Sequence, residues 1–325
     1  MTWSISIPSS TANLGPGFDS IGIALDKYLE LEVELASQLS IENLTENLPF
    51  VPNPADHLIV QSAVKTAAMH GLELPACTLK LKSEIPLARG MGSSASAIVA
   101  GIELANQLLE LKLTAHDKLK IATMMEGHPD NAAASIFGGF TISSSTDNGE
   151  IHVFHSYHIE ASFVLSIPQF ELKTEKARNV LPDHYTRSIA AQASASANLL
   201  VAAFLSQSFE QAGIYMEEDL FHEPYRLGLI PQSKELKIAA KKAGAFGTCI
   251  SGAGPTLLSL VQKGKEQEFI SQMKDKFPSF DLVPVSINKT GIIATKNRIN
   301  PSSSYAYSDT QIGKSEISDS QLSPI

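Results

Sequence analysis

The stretch Pro86-Leu-Ala-Arg-Gly-Met-Gly-Ser-Ser-Ala-Ser96 carries most of the information about the fold. Gly90 and Gly92 let the backbone turn tightly and approach a ligand, because neither has a Cβ atom. Ser93 and Ser94 then open a run of small and apolar residues that predicts a helix. A glycine loop leading into a helix N-terminus presents free N–H groups and the positive end of the helix dipole, which suits an anion such as phosphate. The candidate phosphate-binding residues are Pro86, Leu87, Ala88, Arg89, Gly90, Met91, Gly92, Ser93, Ser94, Ala95 and Ser96.

This glycine loop differs from two common phosphate-binding patterns. No G-K-[ST] follows it, and it does not read G-x-G-x-x-G. Taken alone, the stretch is explained equally well by a serine-capped helix after a flexible turn. Other motifs must decide between the two interpretations.

A second polar turn lies near the N-terminus, in Thr11-Ala-Asn-Leu-Gly-Pro-Gly-Phe-Asp-Ser20. Asn13 and Asp19 flank its Gly-Pro-Gly turn, so both side chains can point at one spot. An aspartate suits a substrate ammonium group, and an asparagine suits neutral donors and acceptors. The alternative is a turn in which both side chains bond only their own backbone.

Two further stretches contain candidate residues. In Glu126-Gly-His-Pro-Asp-Asn131 the glutamate is a possible oxygen ligand for Mg²⁺, or else a solvated residue at a helix end. His128 in this stretch is expected to cap or pack rather than to catalyse. Ser251-Gly-Ala-Gly-Pro255 lies between two apolar strands and forms either a hairpin loop or a surface that packs closely on another backbone.

Length and composition restrict the class of protein. A chain of 325 residues predicts about two domains, and 43% hydrophobic residues exclude general disorder. With 25 basic and 34 acidic residues the net charge is −9, which argues against binding to nucleic acid or to a membrane surface. Two cysteines without metal-ligand spacing, and no signal-peptide pattern, predict a cytoplasmic protein.

One uncharged stretch of 22 residues, Ser188 to Phe209, has the length of a membrane span. It contains serine, asparagine and glutamine residues throughout, which are too polar for the hydrocarbon core. We therefore expect a buried helix of a soluble protein.

Alternating and helical patterns give the order of elements. The acidic face of a strand at residues 29–35 is expected to pair with the basic face of a strand at 77–82. Asn148-Gly149 predicts a hairpin, and a domain boundary is placed after it at residue 155. Residues 156–298 read β-α-β-β-α-β, as in a ferredoxin-like layer, and the serine-rich residues 299–325 read as a disordered tail.

Three helices are predicted in the N-terminal half. They run from Asp56, which is expected to cap the first helix, to His70, from Ser93 to Leu111, and from Thr114 to Glu126.

In their order and composition, the four motifs resemble those of the GHMP kinases, which include galacto-, homoserine, mevalonate and phosphomevalonate kinases. Within that superfamily the chain resembles the homoserine kinases over about residues 3–296. The resemblance implies an α+β protein with the two-domain GHMP kinase fold. Residues 1–155 would form the N-terminal nucleotide-binding domain with a mixed sheet, and residues 156–298 the ferredoxin-like C-terminal α/β layer.

The resemblance also implies roles for individual residues. ATP would lie on the glycine loop at residues 86–96, with Mg²⁺ held by Ser94 and Glu126. L-Homoserine would be held through its ammonium group by Asn13 and Asp19, and through its carboxylate by Arg178 and Arg226. A homodimer is implied as well.

The hydroxyl to be phosphorylated needs a partner. Several related kinases use an aspartate there, and the matching position here is Asn131, which cannot accept a proton at neutral pH. Asn131 is therefore interpreted as a residue that orients the hydroxyl, and Asp130 is the competing candidate. Two rival functions stay open: a kinase of the same superfamily acting on another alcohol, and a nucleotide-binding regulatory protein that has lost catalysis.

Overall fold

The structure, a computed structural model, describes residues 1–45, 51–146 and 148–297. The predicted tail at 299–325 lies outside these residues. The strands are β1 (Thr2–Asn13), β2 (Gly17–Leu35), β3 (Ser40–Asn43), β4 (Cys77–Ser83), β5 (Phe140–Ser145), β6 (Ile151–Ser156), β7 (Ser162–Pro168), β8 (Gly247–Ile250), β9 (Leu257–Val261), β10 (Phe280–Val285) and β11 (Ile293–Asn297). The helices are α1 (Leu58–Met69), α2 (Ser93–Leu109), α3 (Ala115–Glu126), α4 (Asp130–Phe137), α5 (Thr174–Arg178), α6 (Arg187–Leu205), α7 (Phe209–Met216), α8 (Glu223–Arg226), α9 (Ser233–Lys242) and α10 (Glu266–Met273).

The first sheet is mixed, as expected. Its order is β11-β1-β2-β4-β3, and the hairpin β5–β6 is added where β5 pairs with β2. Only β3 and β4 run parallel among the pairs within the described residues. The predicted charge pairing between β2 and β4 is confirmed, since Glu30 lies opposite Lys82 and their charged atoms are 3.1 Å apart. The hairpin predicted at Asn148-Gly149 is confirmed by the antiparallel pairing of β5 with β6.

Two helices of the N-terminal half fix the end of the glycine loop, where α2 begins. Helix α2 is buried along most of its length and packs, with α4, against β1. The end of β1 and the start of α2 are therefore neighbours, and Ser10 N–H donates to the carbonyl of Met91 over 3.3 Å. The glycine loop and the polar turn after β1 lie side by side as a result.

The helix starts were predicted with mixed success. Thr114 caps α3 as expected, in a capping box with Asp117. The predicted cap Asp56 is wrong: it lies in a short 3₁₀ turn, and His57 caps α1 by accepting the N–H of Ile59 on Nδ1. A histidine nitrogen can take the place of the usual carboxylate because it is also an acceptor at that distance.

The second sheet confirms the ferredoxin-like layer. Its order, β10-β7-β9-β8, is the fourth, first, third and second strand along the chain, and every pair is antiparallel. Strand β11 then leaves this layer and pairs with β1, from Thr2 opposite Asn297 to Ser6 opposite Ile293. The region 156–298 therefore contributes one strand to the first sheet, and a division at residue 155 stays a prediction.

Most of the uncharged stretch lies in α6 (Arg187–Leu205), which is long and apolar enough to cross a membrane by length and composition alone. Only 28% of its most apolar window is buried. Its buried face is formed by Ala193, Ser196, Leu200, Ala203 and Phe204. Leu199 and Leu205 on other faces are exposed, so the expectation of a buried helix holds for one face only.

Candidate active site

A cavity of about 460 Å³ lies where the glycine loop, the β1–β2 turn, α5 and α8 meet. Cavities of this size are typical of small-molecule sites. The predicted residues that line it are Asn13, Asp19, Leu87, Ala88, Gly90, Gly92, Ser93, Ser94, Ala95, Glu126, Asn131, Arg178 and Arg226. Residues far apart in the sequence thus share one site.

The glycine loop has the backbone that its sequence predicts. Gly90 and Gly92 have φ angles of 76° and 69°, in the left-handed region that glycine adopts without strain. Gly92 is the N-cap of α2 and has no side chain to cover the first N–H groups of the helix. Those groups are therefore available to a bound anion at the cavity wall.

Four residues of the predicted loop have other surroundings. Arg89 donates to the carbonyls of Pro168 and Gln169, which ties the loop to the end of β7. Met91 and Ser96 are buried, and Pro86 is half-buried. These four residues do not line the cavity and are interpreted as supporting the fold of the loop.

The Ser251–Pro255 loop packs on the glycine loop. The Ser251 hydroxyl donates to the Gly90 carbonyl over 2.6 Å and lies 2.8 Å from the Thr11 hydroxyl. A Cβ atom at Gly90 would come within 2.3 Å of the Ser251 carbonyl oxygen. The two loops can approach this closely only because Gly90 has no side chain.

Ser94, in the first turn of α2, and Glu126, at the end of α3, place two candidate oxygen ligands for a metal ion side by side. The Ser94 hydroxyl donates to Oε2 of Glu126 over 3.0 Å. Burial raises the pKa of the Glu126 carboxyl above its usual value, although His128 and Ser94 act against the shift. A hydroxyl and a carboxylate beside the glycine loop fit Mg²⁺, which prefers hard oxygen ligands.

Asp19 and Arg178, expected to hold opposite ends of a substrate, contact each other. The guanidinium donates from Nη1 and Nη2 to the two carboxylate oxygens over 3.1 and 2.7 Å. Both side chains are about one third exposed, at 34% and 36%. Asn13 accepts the N–H of Asp19 and donates to the carbonyl of Gly252, so it holds the turn rather than bonding only its own backbone.

Arg226 lies at the base of the cavity and is 1% exposed. Its Nε donates to the carbonyl of Ala177, next to Arg178. Burial, and secondly the like charge of Arg178, lower the pKa of Arg226 to about 10, so it is charged at neutral pH. Both guanidinium groups lie over the ring of Phe18, at 5.3 Å for Arg226 and 5.7 Å for Arg178. The electron-rich face of this ring stabilises two neighbouring positive charges.

Asn131 and Asp130 have different surroundings at the start of α4. Asp130 is 2% exposed, and its Oδ1 accepts from His128 Nδ1 over 2.6 Å and from the Asn131 backbone N–H over 2.7 Å. The side-chain Oδ1 of Asn131 accepts from the Ser10 hydroxyl over 3.0 Å. Both residues line the cavity, but Asp130 is already bonded to its neighbours, whereas Asn131 also contacts Ser10, which bonds to the glycine loop.

His128 does pack, as expected, but it packs inside the site. Burial lowers its pKa, yet the hydrogen bond and charge of Asp130 outweigh burial and raise it overall. Asp19, His128 and Asp130 each have one atom that could bind a metal ion, and these three atoms lie within 4.8 Å of one another. Arg178 is paired with Asp19 and His128 donates to Asp130, so this cluster differs from the oxygen pair at Ser94 and Glu126.

Sequence reasoning did not identify three neighbours of the site. Phe18 and Ser10 lie in or beside the T-A-N-L-G-P-G-F-D-S motif, and His222 directly precedes Glu223-Pro-Tyr-Arg226. Their positions next to the motifs are the signal that was available. Their contacts depend on which segments the fold brings together.

Comparison with known proteins identifies two domains by sequence. Residues 57–139 match the profile described as GHMP kinases N terminal domain, and residues 200–279 match GHMP kinases C terminal. The first match contains the glycine loop, Glu126 and Asn131. The second contains Arg226 and the Ser251–Pro255 loop.

Curated relatives match along most of the chain. A homoserine kinase of Bacillus licheniformis is 44% identical over 92% of this chain and 98% of the relative. A homoserine kinase of Oceanobacillus iheyensis is 52% identical over 80% of this chain and 87% of the relative.

Solved structures give the same grouping. A putative homoserine kinase of Listeria monocytogenes has a TM-score of 0.78 and 33% identity, covering 91% of this chain and 100% of that chain. The Methanococcus jannaschii mevalonate kinase has a TM-score of 0.68 at 16% identity over 87% of this chain and 98% of that chain, which shows the shared fold alone.

Proposed function

The chain belongs to the GHMP kinase family, and on that premise we propose that it is a homoserine kinase. It transfers the γ-phosphoryl group of ATP to the side-chain hydroxyl of L-homoserine, giving O-phospho-L-homoserine in threonine biosynthesis. The observation that supports this most is a single cavity that joins an anion-binding loop to an acid–arginine pair.

The acid–arginine pair suits a zwitterion. Asp19 and Arg178 neutralise each other in the free protein, and both are partly exposed to the cavity. An amino acid offers an ammonium group to Asp19 and a carboxylate to Arg178 and Arg226. Asp19 and Arg178 then each exchange one ion pair for another, and Arg226, which is bonded to backbone carbonyls and to His222, gains one.

The glycine loop suits the phosphates of ATP. Its backbone N–H groups at the start of α2 face the cavity, and a smaller apolar cavity adjoins it, lined in part by Leu29, Ile59 and Leu81. Ser94 and Glu126 would hold Mg²⁺ beside the phosphates, where the ion supplies positive charge for the transferring group.

Asn131 orients the homoserine hydroxyl in this proposal. The hydroxyl oxygen bonds to the γ-phosphorus as the bond from that phosphorus to the bridging oxygen of ADP breaks. The hydroxyl proton passes to the phosphate or to water, because an amide cannot accept it at neutral pH. Phosphoryl transfer has a loose transition state, so positioning and charge neutralisation provide most of the rate enhancement.

We expect Asp130→Asn to leave kcat within about tenfold of the wild type. The asparagine keeps an oxygen acceptor for the Asn131 N–H, and one altered hydrogen bond costs about 0.5–1.5 kcal/mol. Steady-state kinetics with saturating homoserine and ATP measure this, with Asn131→Ala as the more damaging comparison. A loss of several orders of magnitude in Asp130→Asn would identify Asp130 as a base.

We expect Gly92→Ala to raise the KM for ATP by about tenfold or more. A Cβ atom there would lie 2.2 Å from the Ser10 hydroxyl, so Ser10 or the loop must move. Gly71→Ala is the matched control, because Gly71 has the same φ of 69° and nothing within 4 Å of the added carbon. Equal effects of both substitutions on ATP binding would mean that backbone strain, not the loop contact, is responsible.

The decisive experiment is ADP release measured with and without L-homoserine. We expect release to depend on homoserine and to be much weaker with mevalonate, galactose, L-serine or L-threonine. Preference for another alcohol would support the rival kinase. No release with any alcohol would support the rival regulatory protein, although Ser94 and Glu126 are both present and bonded.

We further propose a homodimer in the cytoplasm, as the resemblance implies. Light scattering coupled to size-exclusion chromatography tests the dimer: a mass near 70 kDa is expected, about twice the 34.9 kDa of one chain. A mass near that of one chain would contradict it.

A further inference from the structure

Arg226 is held by a small set of acceptors. Its Nε donates to the carbonyl of Ala177, and its Nη1 lies 3.3 Å from the carbonyl of Gly252 and 3.2 Å from Nδ1 of His222. Ala177 and Gly252 contribute backbone atoms, which no side-chain substitution removes. His222 is the side chain in this set.

The hydrogen bonds of His222 determine its tautomer. Nε2 lies 3.0 Å from the carbonyl of Gly15, which can only accept, so Nε2 carries the proton. Nδ1 is then an unprotonated acceptor, as the guanidinium of Arg226 requires, because arginine can only donate. One neutral imidazole therefore links the Gly-Pro-Gly turn of the substrate site to Arg226.

His222 is fixed on all sides. It is fully buried, stacks on Phe18 at 5.3 Å, and directly precedes α8, four residues before Arg226. Asp219 accepts the backbone N–H groups of residues 221, 222 and 223, which fixes the start of α8. A histidine held this firmly can set the position of a neighbouring side chain.

We propose that His222 is a positioning residue, which holds the Arg226 guanidinium in register with the β1–β2 turn and so sets affinity for the carboxylate of the substrate. The inference rests on the proposed function, in which Arg226 binds that carboxylate. It adds a residue that does not touch the substrate and that links two parts of the substrate site.

The link depends on the charge of His222. The charged groups that face it are Asp219, Glu223 and Arg226; Glu223 is itself paired with Lys237. Burial lowers the pKa of His222 below its ordinary value, while Asp219 and Glu223 oppose the shift. The neutral form therefore prevails at neutral pH. Acid would place a proton on Nδ1 against the N–H of Arg226, so homoserine affinity should fall only at a pH well below the ordinary imidazole pKa of about 6.5.

Two substitutions each keep one of the two hydrogen bonds of His222, the one to Arg226 or the one to Gly15. In His222→Asn the amide oxygen takes the place of Nδ1 and keeps an acceptor for Arg226. In His222→Gln the amide nitrogen takes the place of Nε2 and keeps a donor for Gly15. We expect the KM for homoserine to rise about tenfold or more in His222→Gln and at most about threefold in His222→Asn. His158→Gln, on the surface, is the control for a histidine substitution as such.

Two readouts distinguish positioning from general stability. The KM for ATP should stay within about twofold in both variants, and the preference for homoserine over its methyl ester should shrink only in His222→Gln. The acid rise in homoserine KM should be weaker in His222→Asn than in the wild type. Equal losses in both variants, or losses shared by ATP and the ester, would overturn the proposal.

Wild-type measurements keep the test independent of variant folding and of the proposed function. Imidazole ¹⁵N spectra should show one histidine in the Nε2–H tautomer that does not titrate near pH 6.5, and its signal should be absent from His222→Gln. The Nδ1–H tautomer, or ordinary titration, would contradict the proposal even if homoserine is not the substrate. Homoserine-dependent ADP release in the wild type tests the function separately.

Discussion

Replacing Glu126 by glutamine is expected to lower kcat by about 10²–10³-fold while changing the KM for homoserine little. The substitution keeps the shape of the side chain and one oxygen, but it removes the negative charge. In the proposed site that charge holds Mg²⁺ where charge develops on the transferring phosphoryl group. The loss therefore falls on the transition state rather than on binding of the alcohol. Initial rates at saturating substrates over a series of Mg²⁺ concentrations measure it.

Two other variants serve as comparisons for Glu126→Gln. Ser94→Ala removes the partner hydroxyl, 3.0 Å from the carboxylate, and the double variant should lose less than the sum of the two single effects. Glu235→Gln, exposed on α9, controls for the loss of one acidic charge. An unchanged kcat for Glu126→Gln at saturating Mg²⁺ would remove Glu126 from the metal site.

The sequence predicts the local parts of this site well. Gly90 and Gly92 indicate the turn and the exposed helix start because the backbone geometry follows from the missing side chains themselves. The ferredoxin-like order of the second sheet follows from element order, since few topologies connect those elements. Thr114 predicts the start of α3 because its cap partner lies three residues away.

Contacts between distant segments could not be predicted in this way. Asp19 and Arg178 are 159 residues apart, and nothing local shows that they pair with each other in the free protein. The link from His222 to Gly15 spans 207 residues. Strand β11 joins the first sheet because β1 has a free edge there, which depends on the assembled sheet. His57 caps α1 in place of Asp56 because Asp56 is the last residue of the 3₁₀ turn that precedes the helix.

The burial of α6 shows a further limit. An uncharged stretch with serine and asparagine throughout fits a buried helix, but composition does not tell how many faces are covered. The fold covers the face with Leu200 and Phe204 and leaves Leu199 exposed. Periodicity could have separated these faces only if the exposed positions carried charge.

Removing either arginine of the substrate site is expected to cost about 2–5 kcal/mol in transition-state stabilisation with homoserine, much of it from leaving a carboxylate under-paired. That is roughly 30- to several-thousand-fold in kcat/KM, at about 1.4 kcal/mol per decade. Arg178→Ala is the clearer variant, because Arg178 is 36% exposed whereas Arg226 is buried and bonded to the backbone. Arg178→Lys should recover little, since lysine cannot form a planar fork.

Arg178→Ala also leaves Asp19 without its ion-pair partner. A second substitution at Asp19 then shows whether the pair stabilises the fold or Asp19 binds the substrate. If the pair only stabilises the fold, Asp19→Asn should restore much of the lost activity by removing the unpaired charge. If Asp19 binds the substrate ammonium, the double variant should be worse than Arg178→Ala. Arg187→Ala, at the exposed first residue of α6, controls for the loss of one positive charge.

Changing the substrate instead of the protein tests the same contact. Homoserine methyl ester lacks the carboxylate charge, so it should be a poor substrate of the wild type and should lose far less when Arg178 or Arg226 becomes alanine. The KM for ATP should change little, because in the proposed site the nucleotide lies on the glycine loop, which is a separate segment. If the variants lose activity equally towards homoserine and the ester, the arginines act on structure or on phosphate, and the carboxylate clamp is wrong.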